Sequence, residues 1–141
     1  MNDMRKYINI VESIDDIIPG ELPEYNTITK QLDIMNHNGQ AIDYINNPSE
    51  DVQLAAVQQN VMAIYYILEK RIKPSIAVQR IAVLQNPLWV LGELIDYNIP
   101  ISKMIQWTAA KRIKELDLTI GKIGKNILNK LDPDVQEYLR S

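Results

Sequence analysis

The chain has 141 residues, a formal net charge of −3 and no cysteine, and 46% of its residues are hydrophobic. This length suits one globular domain with its own core, and the lack of cysteine excludes disulfides and thiolate metal sites. The longest apolar run, Val61 to Leu68, is far shorter than the roughly 18 residues of a membrane span.

The predicted elements are helices, beginning with an apolar face at helical spacing over residues 3–18. A Pro-Gly pair ends that helix. Thr27 can cap a second helix through about residue 36, and a short helix is expected over residues 40–46.

The clearest helix start is Asn47-Pro48-Ser49-Glu50. Asn is a good N-cap because its side chain accepts an orphaned backbone N–H, and Pro is favoured at the next position. We therefore expect Asn47 as the cap, Pro48 as the first helical residue and Glu50 in the third position. The helix should bury Val52, Ala55, Ala56 and the stem of Gln59, and Asn60 should cap a partner helix that buries Ala63, Ile64, Ile67 and Leu68.

This helix pair belongs to an internal repeat. The residues that recur 26 positions later are Pro48-Ser49, Val52-Gln53, Ala56-Val57 and Gln59-Asn60. A partial unit precedes them at an offset of 22, and Ser102, Ile105, Gln106 and Ala109 continue the pattern at an offset of 27. A short fixed period is typical of stacked repeats, in which each unit buries its apolar face on its neighbours.

The remaining segments complete an all-α prediction. Asn86-Pro87 and Ser102 start further helices, apolar residues from Ile120 to Leu131 predict another, and Asp132-Pro133 opens a last one. No segment alternates as a strand does. We expect one α-solenoid-like domain over 1–141 with about seven or eight helices: N-terminal helices in 1–37, repeat units in 38–116 and cap helices in 117–141.

Residues 47–67 resemble a short helical repeat of phage and bacterial proteins that is grouped as domain of unknown function 4116. The resemblance extends more weakly over about 35–95, and the second copy departs from it at Trp89-Val90-Leu91 and Gly92. It implies an α-helical repeat fold and suggests a phage or prophage source. Because the N-terminal residues lack the pattern of a signal peptide and no apolar run is long enough to span a membrane, we expect a cytoplasmic protein, in the host cell if it is phage-encoded. The resemblance supplies no catalytic residues.

Enzymatic chemistry has few candidates. The single histidine, His37, lies at a helix break, and Gly121-Lys122-Ile123-Gly124-Lys125 lacks the spacing of a phosphate loop. We therefore predict a non-enzymatic protein with no catalytic residue, no cofactor and no metal site. Its expected role is to dock on and modulate a host or phage protein, and an antiphage defence protein is one such target.

Two aromatic residues are candidates for a protein contact. Trp89 stands where the repeat has alanine, so it either fills the space left by Gly92 in the core or projects outward. If exposed, Trp89 and Tyr65 would form a hot-spot pair, because such residues dominate interface energies.

The uneven distribution of charge suggests further functional hypotheses. Residues 1–60 hold ten acidic and three basic residues, whereas residues 103–130 hold seven basic and two acidic residues. The acidic part, with Asp15, Asp16, Glu21 and Glu24, could mimic DNA towards a nucleic-acid-binding host enzyme. Oppositely charged ends also suit head-to-tail self-assembly in a structural or virion-associated role. The basic part is the nucleic-acid alternative, although the overall acidity argues against it. Its candidate residues are Trp107, Lys111, Arg112 and Lys114.

Overall fold

A computed structural model describes residues 27–118, 121 and 123–141 of the chain. These residues form nine helices and no strand, which confirms the all-α prediction. The chain divides into two compact units, residues 1–78 and 79–141. The predicted helix over residues 3–18 lies outside the described residues.

The first unit contains α1 (Ile28–His37), a 3-10 helix (Gly39–Tyr44), α2 (Glu50–Gln59) and α3 (Ala63–Glu69). Thr27 caps α1 as expected, since its hydroxyl accepts a hydrogen bond from the Lys30 backbone N–H. The 3-10 helix contacts α1, α2 and α3. It thus lies at the centre of the unit, with Ala41 and Ile42 buried.

A close backbone approach joins the turn after α1 to the end of α2. Gly39 packs so tightly against the Ala56 carbonyl that a Cβ at position 39 would clash with it. Gln59 fixes this contact, because its Oε1 accepts from Gly39 N at 2.7 Å and its Nε2 donates to His37 O at 3.5 Å. The turn therefore needs both the missing side chain of Gly39 and the amide of Gln59.

The second unit contains α5 (Pro87–Asp96), α6 (Lys103–Glu115), α7 (Lys125–Leu128) and α8 (Pro133–Arg140). Helix α4 (Ile76–Gln85) includes the boundary between the two units. Within the second unit, α6 contacts α5 and α8, and α7 contacts α5. Its core includes Val90, Leu91, Leu94, Ile105, Ala109, Ile113 and Val135.

Three helices end in the same way. After α3, α5 and α6 the chain passes through a non-glycine residue with positive φ, namely Arg71, Asn98 and Asp117. The next residue donates its N–H to the carbonyl five positions earlier, as Ile99 does to Leu94 and Leu118 does to Ile113. This is the Schellman arrangement, which satisfies orphaned carbonyls at a helix end.

Two sequence predictions were wrong in detail. Ser49, not Asn47, caps α2, because its hydroxyl accepts from Val52 N while Pro48 stays outside the helix. Between Ile120 and Leu131, the described residues form only the single turn α7 rather than a continuous helix. Gly124 lies at the N-cap of that turn, where the backbone is no longer helical.

Burial follows the repeat closely but not completely. The predicted core of α3, Ala63, Ile64, Ile67 and Leu68, is buried. In α2 the buried residues are Val52, Gln53, Ala56 and Val57, whereas Ala55 is half-buried and Gln59 is exposed. None of the described helices is long and apolar enough to cross a membrane.

Candidate functional site

The start of α2 combines a hydroxyl cap with a buried glutamine. Ser49 accepts from the N–H three residues later, and Gln53 lies four residues after the cap. The Gln53 Nε2 donates to the Pro48 carbonyl at 3.0 Å. The glutamine thereby satisfies a buried carbonyl that precedes the helix and fixes the direction in which the chain enters it.

The same arrangement recurs in the second unit. Gln106 Nε2 donates to Ile101 O at 3.0 Å, and Gln136 Nε2 donates to Leu131 O at 2.8 Å. Each acceptor is the residue just before the cap. We call this pattern, a cap residue followed four positions later by glutamine, the helix-start framework. It occurs five times, with caps Thr27, Ser49, Ser75, Ser102 and Asp132 and glutamines Gln31, Gln53, Gln79, Gln106 and Gln136.

Sequence reasoning identified only the middle three copies. The first was missed because Lys30 replaces the apolar residue three positions after the cap, and the last because Asp132 replaces serine. In the last copy the Asp132 side chain makes no bond to its own helix, and Asp134 Oδ1 accepts from Val135 N instead. A search for the cap-to-glutamine spacing alone would have found both.

Between cap and glutamine, the first two helical positions are exposed in every copy. Their residues differ in chemistry from copy to copy. They are Ile28-Thr29, Glu50-Asp51, Ile76-Ala77, Lys103-Met104 and Pro133-Asp134. Of the five large apolar side chains exposed in the described chain, three lie here: Ile28, Ile76 and Met104.

In the second unit these exposed positions meet across neighbouring helices. Lys103 Nζ at the start of α6 lies 3.0 Å from an Asp134 carboxylate oxygen at the start of α8 and 4.0 Å from Asp132. The hydrogen bond from Lys103 lowers the pKa of Asp134 below its ordinary value, and it raises the pKa of Lys103. The two helix starts therefore form one continuous surface.

Below this surface, Gln106 joins α6 to α8. Its buried side chain accepts from Asp132 N at 2.7 Å and donates both to Ile101 O and, at 3.4 Å, to Asp132 Oδ1. The amide of Gln106 therefore makes hydrogen bonds at the start of its own helix, α6, and at the start of α8.

Two of the four nucleic-acid candidates pack against α8. The rings of Trp107 and Tyr138 meet edge to face with centroids 5.2 Å apart. Lys114 Nζ lies 4.9 Å from the centre of the Tyr138 ring and donates to Ser141 Oγ at 3.1 Å. Trp107 and Lys114 therefore help to hold α8 in place.

Arg112 makes contacts within the fold, whereas the neighbouring Lys111 is exposed. Arg112 Nε donates to Leu84 O at 2.8 Å, and its Nη1 lies 3.8 Å from Glu115. Arg112 occupies the repeat position of Gln59, which likewise donates to a carbonyl in the last turn of an earlier helix. Lys111 is exposed and forms no ion pair with any described carboxylate.

The two predicted aromatic contact residues are both half-buried. Tyr65 donates its hydroxyl to Glu69 at 3.0 Å and packs edge to face on Tyr66. Of the two alternatives for Trp89, packing at Gly92 is not observed, because the described atom within 4 Å of a Cβ placed there belongs to Ile127, at 3.8 Å. They lie in different units, so the predicted Tyr65–Trp89 pair stays a prediction.

Asp15, Asp16, Glu21 and Glu24 lie outside the described residues, so the DNA-mimic hypothesis stays a prediction. Elsewhere, no group of three or more His, Asp or Glu side chains is arranged to hold a metal ion in the segments that the structure covers. His37 lies at the end of α1 with Nδ1 3.0 Å from Asp33 O.

Comparison of the chain with family models, with curated proteins and with solved structures found no match. The relationship of residues 47–67 to the domain of unknown function 4116 repeat therefore stays a prediction.

Proposed function

We propose that this protein is a non-enzymatic protein-binding module. The observation that carries the proposal is the contrast inside the helix-start framework. Cap and glutamine recur five times, whereas the two exposed positions between them range from isoleucine to glutamate and lysine. Repeat proteins bind partners in this manner, with a fixed scaffold that presents variable surface residues.

The exposed apolar residues support the same proposal. Ile28 is 51% exposed and Met104 is 54% exposed, and each lies in the first turn of a helix that has buried residues further along. A partner that covers these apolar side chains would remove them from water, which favours binding. The resemblance of residues 47–67 to a phage and bacterial repeat supports a partner from a bacterial host.

The test is affinity purification of the tagged full chain from a bacterial host after nuclease treatment. We compare the wild type with a triple variant, Ile28→Ser, Ile76→Ser and Met104→Ser. A matched control replaces three exposed polar residues: Gln58→Ser, Lys73→Ser and Lys125→Ser. We expect one stoichiometric host protein with the wild type and the control and at least about tenfold less with the triple variant, which corresponds to the loss of a few apolar contacts.

The proposal fails if only the chain itself is recovered or if the triple variant retains the partner fully. Self-assembly would then become the better hypothesis, provided that the mass rises with concentration.

A further inference from the structure

One side of α6 carries an apolar, an aromatic and two basic side chains in a line. Met104, Trp107, Lys111 and Lys114 follow one another at spacings of three, four and three residues, which places them on one face of the helix. We call these four residues the α6 stripe. Tyr138 of α8 lies beside it, in contact with both Trp107 and Lys114.

The α6 stripe has the composition of a protein contact. Met104 is the most exposed large apolar side chain in the described residues, and Trp107 and Tyr138 are each half-buried. The edge-to-face packing already restrains both rings, so binding would cost them little conformational entropy. Aromatic residues and methionine are enriched at the centres of interfaces.

The charge of the α6 stripe indicates what it would contact. Lys111 and Lys114 form no ion pair with any carboxylate in the described ranges. The neighbouring cations already have carboxylate partners, since Arg112 pairs with Glu115 and Lys103 lies within 4.0 Å of both Asp134 and Asp132. The stripe is therefore left with two positive charges next to its apolar residues.

We propose that the α6 stripe docks an acidic protein segment that carries an apolar anchor residue. The anchor packs on Met104, Trp107 and Tyr138, and flanking carboxylates pair with Lys111 and Lys114. This inference rests on the proposed function and gives it a surface and a partner chemistry. A nucleic acid fits less well, because it would leave Met104 uncovered and because Arg112 is already bound to Leu84 O.

The first experiment is a selection of 12-residue peptides from a random displayed library against the full-length chain. Peptides that also bind the double variant Met104→Ser, Lys111→Glu are removed by counter-selection. We expect the survivors to be enriched in Asp and Glu beside a large apolar residue. Both substituted residues are exposed, so the variant should keep the wild-type helical circular dichroism.

The second experiment measures the dissociation constant of the best selected peptide by fluorescence anisotropy. Lys111→Glu should weaken binding about tenfold, because it replaces an attraction by a repulsion. The matched controls Lys73→Glu and Met62→Ser change exposed residues of the same types in the other unit and should leave the affinity within twofold of wild type. An oligo-dT of 20 nucleotides tests nucleic acid at the same salt concentration.

Three outcomes would overturn the inference. The first is that the selected peptides lack acidic residues or bind Lys111→Glu with wild-type affinity. The second is that the oligonucleotide binds in a Lys111-dependent way when no peptide binds. The third is self-association that Lys111→Glu abolishes, which would make a second copy the occupant. If a host protein co-purifies equally with the wild type and the double variant, the α6 stripe is wrong but the proposed function stands. If neither peptide nor host protein binds, both are wrong.

Discussion

At the residue scale, Gly39 shows how one missing side chain allows two segments to meet. Gly39→Ala would place a methyl group against the Ala56 carbonyl and 3.1 Å from Gln59 Oε1. We expect destabilisation of roughly 1–3 kcal/mol, because backbone must move to relieve the overlap. Urea unfolding measures it. Gly121→Ala is the control, since a Cβ there meets no atom of the described residues within 4 Å. Equal effects of the two substitutions would refute the steric explanation.

At Arg71, in contrast to Gly39, we expect a substitution that stabilises the fold. Arg71 follows α3 with φ of 62°, a left-handed conformation that costs a non-glycine residue free energy. Arg71→Gly should raise the free energy of unfolding by about 0.5–1 kcal/mol. Arg80→Gly, inside α4, should instead lower it by about 1 kcal/mol. Thermal unfolding of both variants shows whether each substitution raises or lowers the free energy of unfolding. A loss of stability in Arg71→Gly would contradict the prediction.

The Lys103–Asp134 ion pair should make the stability of the fold depend on pH. The hydrogen bond from Lys103 holds the pKa of Asp134 below the ordinary 3.8. A lowered folded-state pKa stabilises the fold above the unfolded-state value, and this contribution is lost as the pH falls through the folded-state pKa. A carboxyl NMR titration should show the pKa of Asp134 returning towards 3.8 in Lys103→Met. Lys125→Met should leave it unchanged.

At the element scale, the attachment of α8 depends on Gln106. Gln106→Ala would leave the Asp132 N–H and the Ile101 carbonyl without their buried partner. We expect a loss of roughly 2 kcal/mol, since an unsatisfied buried group costs more than an average hydrogen bond contributes. Hydrogen exchange should be faster at the amides of α8.

Gln136→Ala is the matched control for this variant, because that half-buried side chain makes a single bond, to Leu131 O. Its loss should cost about 1 kcal/mol or less. Unchanged exchange of the α8 amides in Gln106→Ala would show that the aromatic contacts alone hold the helix.

At the scale of the whole molecule, the distribution of polar residues on α8 predicts a monomer. Its exposed positions are Pro133, Asp134, Glu137 and Arg140. A polar outer face of this kind ends a repeat array, and head-to-tail assembly needs a receptive surface at both ends. Light scattering should give 16.2 kDa at every concentration. A mass that rises with concentration would contradict this and support the structural role.

The sequence by itself determined the local structure. Hydroxyl caps, the Asn86-Pro87 start and the 26-residue period predict the helices and most of their buried faces, because capping and amphipathic spacing are properties of neighbouring residues. The charges of the repeat are equally visible in the sequence. The error at Asn47 arose where two local signals competed, since both Asn47 and Ser49 can cap a helix. The error in the described part of residues 120–131 arose because the apolar spacing runs across Gly124, whose backbone is not helical.

Only the tertiary structure decided which side chains act within the fold and which remain for a partner. Arg112 and Lys111 are adjacent basic residues in the sequence, but one bonds to Leu84 O and the other faces solvent. Trp107 packs edge to face on Tyr138, 31 positions away, and the two half-buried rings together form the aromatic part of the proposed contact. Such contacts join residues that are distant in the chain, so no local pattern encodes them, and the α6 stripe becomes apparent only when α8 is in place.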